Sequence, residues 1–233
     1  MTKSDLNNEK KAAAEKAVEF IESGMLVGLG TGSTVKFMIE NLAEKVKNGM
    51  DIKTVSTSNA TSKFAESLGI KVLNLCDVDE IDITIDGADE VDTKLNGIKG
   101  GGGALLYEKI VASSSKKNIW MVDSTKRVEK LGSFPLPLEV VKFGANQTFN
   151  KLFSLGYKPE FRSAEGKNYV TDGNHYIIDL YLNKIENPTE LNNKLLLIPG
   201  VVETGLFLEI CDVLIVGVDE ECEVIFKNEK RPA

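Results

Sequence analysis

Along the first half of the chain, apolar and polar positions switch repeatedly between a helical and a strand rhythm. Residues 9–22 (EKKAAAEKAVEFIE) set Ala14, Val18 and Ile21 at helical spacing among good helix formers. MLVGLG (25–30) is a short continuous apolar run, the pattern of a buried strand. From Thr34 to Val46 the helical period returns, with Val35, Met38, Ile39, Leu42 and Val46 on one stripe. Strand-like IKTVSTS (52–58), helical ATSKFAESLG (60–69) and strand-like KVLNL (71–75) follow. IDITIDGAD (81–89) predicts another strand, GALLYEKIVASSSKK (103–117) a helix, and NIWMVDS (118–124) a further strand. Strands alternating with helices of this length imply βαβ units, hence an α/β fold with a mostly parallel sheet.

The rhythm changes at GSFPLPLEV (132–140), where two prolines interrupt it. Beyond it come a helix (Asn146 to Leu155) and two alternating runs either side of Asp172-Gly173-Asn174, the signature of a hairpin. This pattern is α+β and antiparallel. It predicts a small second domain over 132–205, beside a first domain made of 1–131 and 206–233, because the apolar run CDVLIVGV (211–218) can rejoin the first sheet. The acidic tail DEECEVIFKNEKRPA (219–233) has no evident role.

Composition narrows the function classes. At 233 residues the chain is long enough to bury roughly 70–75% of its unfolded surface. Thirty-five acids against 28 bases leave a formal charge of −7, which argues against duplex nucleic acid or a membrane surface as partner. A small anionic substrate stays compatible, because it feels the local pocket. Cys76, Cys211 and Cys222 are odd in number, widely spaced and form no CxxC, so neither a disulfide framework nor a zinc cage is expected. Cys76 and Cys211 lie in or beside apolar runs and read as small buried hydrophobes. The N-terminus is charged throughout, and no stretch nears the roughly 18 apolar residues of a membrane span, so a soluble cytoplasmic protein is expected. The single histidine, His175, reads as an ordinary surface residue of the hairpin and is too little for a Ser–His–Asp triad or a multi-histidine metal site. Acid–base chemistry would fall to carboxylates, lysines or thiols.

Four motifs carry that chemistry. In VGLGTGST (27–34) a strand runs through glycines into a helix. Thr31, Gly32, Ser33 and Thr34 then offer hydroxyls and unpaired helix-start N–H groups to an anion, most naturally a phosphate. The stretch lacks the third glycine of a dinucleotide fingerprint and the GK[ST] of a P-loop. In IDGADE (85–90), Asp86 and Asp89 flank the small Gly87 and Ala88 at the end of a strand, where ligands of open parallel sheets bind. Helix capping, a solvated acidic turn or a Mg²⁺ site would also use such carboxylates. In KGGGGALLYEK (99–109), Gly100, Gly101 and Gly102 open a run of four glycines suited to wrapping an oxyanion, with Lys99 before it and Glu108 one turn into the helix after it. Ala104, Glu108 and Ala112 share one helix face, leaving space beside the glutamate. Lastly, VDSTK (122–126) ends another strand at the same sheet edge and brings Lys126 within reach of an anion.

Taken in order, GLGTGST, STSNAT, DGADE, KGGGGALLYEK, VDSTK, FPLPLEV and the late IPGVVETGLF (198–207) resemble the A-type ribose-5-phosphate isomerases over essentially the whole chain. The resemblance implies a Rossmann-like sheet with helices on both faces, a small α+β (ferredoxin-like) lid, and a homodimer or homotetramer. It also implies interconversion of ribose 5-phosphate and ribulose 5-phosphate through a cis-enediolate, without metal or organic cofactor. By the same resemblance Glu108 is the base at C2 and C1. Asp86, Asp89 and Lys99 surround the sugar oxygens, and the phosphate lies on Thr31 to Thr34 and Lys126 with an N-terminal lysine, Lys10 or its neighbour Lys11. Three rivals differ in what they require. A non-catalytic sugar-phosphate sensor has no need of the Lys99/Glu108 pair. A CoA-transferase-like enzyme leaves the DGAD aspartates unexplained. Glucosamine-6-phosphate deaminase chemistry calls for a histidine near the ring oxygen, and only His175 is available.

Overall fold

The computed structural model describes residues 3–227. Its first part alternates as expected: α1 (Lys3–Val18), β1 (Leu26–Leu29), α2 (Ser33–Lys47), β2 (Lys53–Ser56), α3 (Asn59–Ser67) and β3 (Ile83–Gly87). Two short strands, β4 (Glu90–Val91) and β5 (Gly97–Ile98), precede α4 (Leu105–Ser113) and β6 (Asn118–Asp123). The middle of the chain forms β7 (Leu136–Val140), α5 (Ala145–Ser154), β8 (Pro159–Phe161), β9 (Ser163–Ala164), β10 (Lys167–Asn168), β11 (Tyr176–Leu180), α6 (Pro188–Leu196) and β12 (Val201–Thr204). It closes with β13 (Leu206–Phe207), β14 (Val213–Val218) and β15 (Glu221–Phe226).

Among the described residues the largest sheet has six strands in the order β15-β14-β6-β3-β1-β2, parallel except for the antiparallel edge β15. The period-2 pattern of its strands sorts them onto two faces. Val27, Leu29, Ile83, Ile85, Ile119, Met121, Val213 and Ile215 pack with the apolar stripes of α1 and α2 and with Ala65 of α3. On the opposite face Trp120, Val122, Leu214 and Val216 meet Leu105 of α4 together with Val91, Leu95 and Phe207. Each such side chain contributes about 1.5–3 kcal/mol on full burial, so covering both faces explains why these strands read as continuous apolar runs.

The second assembly is β7-α5-β8-β11-α6-β12, a βαββαβ unit whose antiparallel sheet runs β12-β7-β11-β8. Its own core gathers Leu136, Leu138, Val140, Leu152, Ile178, Leu180 and Leu195. That is the ferredoxin-like topology. The three-stranded sheet β13-β5-β4 takes β4 and β5 from between β3 and β6 and β13 from just after β12, and it pairs Phe207 with Gly97.

Several local expectations give way. KVLNL is no strand: only Val72 bridges Thr54, and the chain then turns through a 3₁₀ segment, Leu75–Asp77. Cys76 sits in that turn and is exposed, whereas Cys211 is buried. The Asp-Gly-Asn turn is flanked by a single bridge, Val170 to Tyr176, because β11 takes its ladders from β7 and β8. His175 is no free surface residue: its Nδ1 lies 3.0 Å from the buried Glu139 Oε1. The acidic tail supplies β15, although its last residues, 228–233, lie outside the described part. Among the described residues no helix is long and apolar enough to cross a membrane.

Candidate active site

In the parallel part of the sheet, β1 is flanked by β2 on one side and β3 on the other, so successive connections leave it in opposite directions. A crevice opens at such a switch, outside the carboxyl ends of the strands. The loops that follow β1, β3, β5 and β6 converge there on a cavity of about 150 Å³.

Lys99, directly after β5, is its central cation and is 3% exposed. Its Nζ donates to the Gly87 carbonyl at 2.6 Å, pairs with Asp86 Oδ2 at 2.9 Å and lies 3.3 Å from Glu108 Oε2. The face of the Phe207 ring is 5.2 Å from the same nitrogen. Asp86 is committed on both oxygens, since Oδ1 accepts from the amides of Thr31 at 2.9 Å and Gly87 at 2.7 Å. Glu108, in the first turn of α4, is equally buried, and its Oε2 has no hydrogen-bond partner. The ammonium at 3.3 Å is its nearest charged neighbour.

Burial pushes the Glu108 carboxyl well above the ordinary carboxylate range. The Lys99 charge pulls it back only in part, and Asp86 and Asp89 push it further up. Lys99 is pulled down by burial, but the carboxylates of Asp86 and Glu108 outweigh this and hold it above its ordinary value. A charged lysine beside a carboxyl that ionises reluctantly is a donor facing a proton acceptor. Such a pair can stabilise a developing oxyanion while a proton leaves carbon.

Opposite this pair, Gly32 caps α2 and leaves the first-turn amides of the helix facing the cavity at Ser33 and Thr34. Lys10 reaches in from α1 with its Nζ 3.8 Å from Asp123 Oδ2, and Lys126 stands on the loop after β6. These groups give their part of the cavity wall a positive character.

A family profile described as ribose 5-phosphate isomerase A (phosphoriboisomerase A) matches residues 53–221. The ribose-5-phosphate isomerase A of Limosilactobacillus reuteri (strain DSM 20016) is 51% identical over 223 residues, 95% of this chain and 98% of its own. The chain belongs to the ribose-5-phosphate isomerase A family. Two solved isomerases share its architecture throughout. A D-ribose-5-phosphate isomerase in complex with phospho-erythronic acid superposes with a TM-score of 0.91 at 39% identity, covering 95% of this chain and 99% of that one. The ribose 5-phosphate isomerase A of Neisseria gonorrhoeae gives 0.88 at 41% identity, covering 95% and 97%. The activity is that of a ribose-5-phosphate isomerase A, acting on a phosphosugar in the pentose phosphate pathway.

The isomerase fold gathers nearly all the residues singled out in the sequence around one cavity. Its walls include Lys10, Thr31, Gly32, Ser33, Thr34, Gly87, Ala88 and Asp89, and on the other side Lys99, Gly100, Gly101, Gly102, Glu108 and Lys126. Asp86 is the exception: it stands behind Lys99 and does not line the cavity, because the Thr31 and Gly87 amides and the ammonium take its oxygens. Thr31 lines the wall, but its hydroxyl is turned away into a cluster with Thr57 at 2.7 Å and Ser58 at 2.8 Å, so it is not free for an anion. Lys10 and not Lys11 faces the cavity; Lys11 lies over the Phe37 ring, 5.6 Å from its centre.

Other contributors escaped the sequence. Arg162 donates to the carbonyls of Gly100 and Gly101, and Tyr169 to that of Gly102. Buried Glu9 accepts from the Ser124 amide at 2.9 Å and so supports the loop that carries Lys126. The hydroxyl cluster had a signal in the serine- and threonine-rich STSNAT, whereas Arg162 and Glu9 had none.

Proposed function

We propose that Glu108 is the base of the isomerisation, and the observation that carries this is its buried carboxylate on the cavity wall, with Oε2 3.3 Å from the Lys99 ammonium. With the open-chain aldose bound, the Glu108 carboxylate takes the proton from C2 and a cis-enediolate forms. The charge that develops on O1 is met by the Lys99 ammonium and the glycine-loop amides, each such donor being worth about 3–4 kcal/mol in comparable oxyanion sites. The hydroxyl proton on O2 passes to O1 with Asp89 as the nearby carboxylate, and Glu108, now protonated, returns its proton to C1. The product carbonyl is then at C2, and the base is regenerated. Asp86 acts through Lys99 as a positioning residue. The phosphate is held by the amides of Ser33 and Thr34, by Lys10 and by Lys126. A 39% identical relative was solved with phospho-erythronic acid, which has a carboxylate at one end and a phosphate at the other, and this supports the two-ended reading of the cavity.

In the same proposal, 1–131 with 206–233 forms the catalytic unit, and 132–205 forms a lid. The chain assembles as a homodimer or homotetramer, supported by apolar side chains left open on the smaller unit: Phe143 is 95% and Leu197 83% exposed. Three free cysteines among the described residues support a reducing, cytoplasmic setting.

The deciding experiment is conversion of ribose 5-phosphate to ribulose 5-phosphate by purified protein with EDTA present, wild type against Glu108→Gln. The isosteric variant loses at least about a hundredfold in kcat. Retention of activity within about tenfold in a folded Glu108→Gln protein would remove Glu108 as the base.

A further inference from the structure

Four successive glycines have no side chains with which to hold a loop, so something else must set the direction of their peptides. In this chain a turn inside the loop supplies part of it, the Gly103 amide donating to the Gly100 carbonyl at 3.0 Å, and the 132–205 segment supplies more. Arg162, just after β8, seats its Nε and Nη2 on the two oxygens of Asp179 in β11, at 2.9 and 2.5 Å. Its remaining nitrogen, Nη1, turns the other way and donates to the Gly100 carbonyl at 2.6 Å and the Gly101 carbonyl at 3.2 Å. The Tyr169 hydroxyl donates to the Gly102 carbonyl at 3.3 Å. Three consecutive carbonyls are thus held by side chains of the smaller unit.

Because a peptide is planar and trans, fixing its carbonyl fixes the following N–H in the opposite direction. The amide following the Gly100 carbonyl is that of Gly101, which donates to Asp89 Oδ2 at 2.7 Å. The amide following the Gly101 carbonyl is that of Gly102, which has no hydrogen-bond partner among the described residues and belongs to the cavity wall. We propose that Arg162 is a positioning residue for the isomerisation: by holding the Gly100 and Gly101 carbonyls from outside the cavity, it aims one amide at Asp89 and the next at the reacting oxygens. The bidentate seat on Asp179 leaves the third nitrogen a single direction, which a lysine ammonium cannot reproduce. This role rests on the cavity being the isomerase site described above.

The test is steady-state kinetics on Arg162→Ala, Arg162→Lys and Asp179→Asn, with circular dichroism to measure the folded fraction. Arg162→Ala is expected to lose about tenfold to a hundredfold in kcat with little change in KM, the loss typical of a misplaced reacting geometry. Arg162→Lys does not restore it, and Asp179→Asn, which keeps the guanidinium but loosens its seat, falls in between. Millimolar guanidinium restores part of the kcat of Arg162→Ala and none of that of Glu108→Gln. A folded Arg162→Ala with kcat within about twofold of wild type overturns the role. So does a loss that follows the unfolded fraction and resists guanidinium; should Arg162→Ala fail to fold, wild-type kcat in Asp179→Asn does the same. If Glu108→Gln is inactive while Arg162→Ala is undiminished, only the positioning role falls. If Glu108→Gln is active, the site reading falls and takes this role with it.

Discussion

Burial makes Glu108 reluctant to ionise and works against the charge on Lys99, which Asp86 and Glu108 sustain, and this gives the pair a testable pH signature. Glu108 must be ionised to act, so kcat rises with pH through its raised pKa, and the acidic limb of the profile lies above the ordinary carboxylate range. Burial is the main cause of the rise, Lys99 opposes it and Asp86 adds to it. Lys99→Met therefore moves the limb to higher pH, with kcat falling about 10²–10³-fold from the loss of an oxyanion donor. Asp86→Asn removes a repelling anion and moves the limb to lower pH. Profiles of log kcat against pH decide this, and shifts of the same sign in both variants would mean that the limb belongs to another group. Stability follows with the opposite sense. A carboxyl whose folded-state pKa is raised contributes stability below its unfolded value, and that contribution is lost as pH rises through the folded value. The contribution of Glu108 to stability is therefore smallest where the group is ready to act, a cost common at functional sites. At this scale the sequence pointed to Glu108 and Lys99 through their setting beside the glycines. The division between Asp86 behind the cation and Asp89 on the wall could not be read, because DGAD looks the same whichever carboxylate faces the cavity.

The elements that deliver these residues depend on close approach as much as on hydrophobic period. Where β1 turns into α2, a Cβ on Gly30 would stand 2.0 Å from Asp86 Oδ1 and 2.6 Å from the Asp86 Cα, backbone that cannot move aside. Gly30→Ala thus drives the β1 and β3 ends apart and shifts the carboxylate that holds Lys99. A stability loss of about 1–3 kcal/mol, the usual cost of overpacking, is expected from denaturant unfolding. A larger proportional loss in kcat than in affinity for substrate should accompany it. Wild-type kinetics in Gly30→Ala would show that Asp86 does not control Lys99. The stripes of α2 and the apolar runs of β1, β3 and β6 were legible because burial on the sheet imposes a period. KVLNL misled for the complementary reason: Val72, Leu73 and Leu75 pack against the core, but only Val72 bridges a neighbouring strand, and an isolated bridge leaves no periodic trace. The hairpin expected at 172–174 had the right turn residues, but β11 pairs with strands distant in sequence, which a local signal cannot reveal.

At the scale of the whole molecule, the prolines marked where the smaller unit begins, but not what docks it. Side-chain ion pairs cross the boundary, such as Lys109 to Glu203 at 2.8 Å, but several docking side chains bind backbone. Glu90 accepts from the amides of Gly132 at 2.7 Å and Phe134 at 2.6 Å, Asp172 accepts from the Asn59 amide at 2.8 Å, and Arg162 donates to glycine carbonyls. Backbone partners exist at every position and carry no residue-type signature, so these contacts were invisible in the sequence. Glu90 is the most consequential of them, being 4% exposed with both oxygens engaged. In Glu90→Gln one of those oxygens becomes an amide donor facing an N–H donor, which costs about 1.5–3 kcal/mol for a buried charged hydrogen bond lost. Because the lost contact lies at the entry to 132–205, the effect should be local. Amide exchange accelerates in β7, β11 and β12, while β1, β3 and β6 keep their protection. Uniform acceleration through both sheets would show that the two units unfold as one, and that 132–205 is no separate lid.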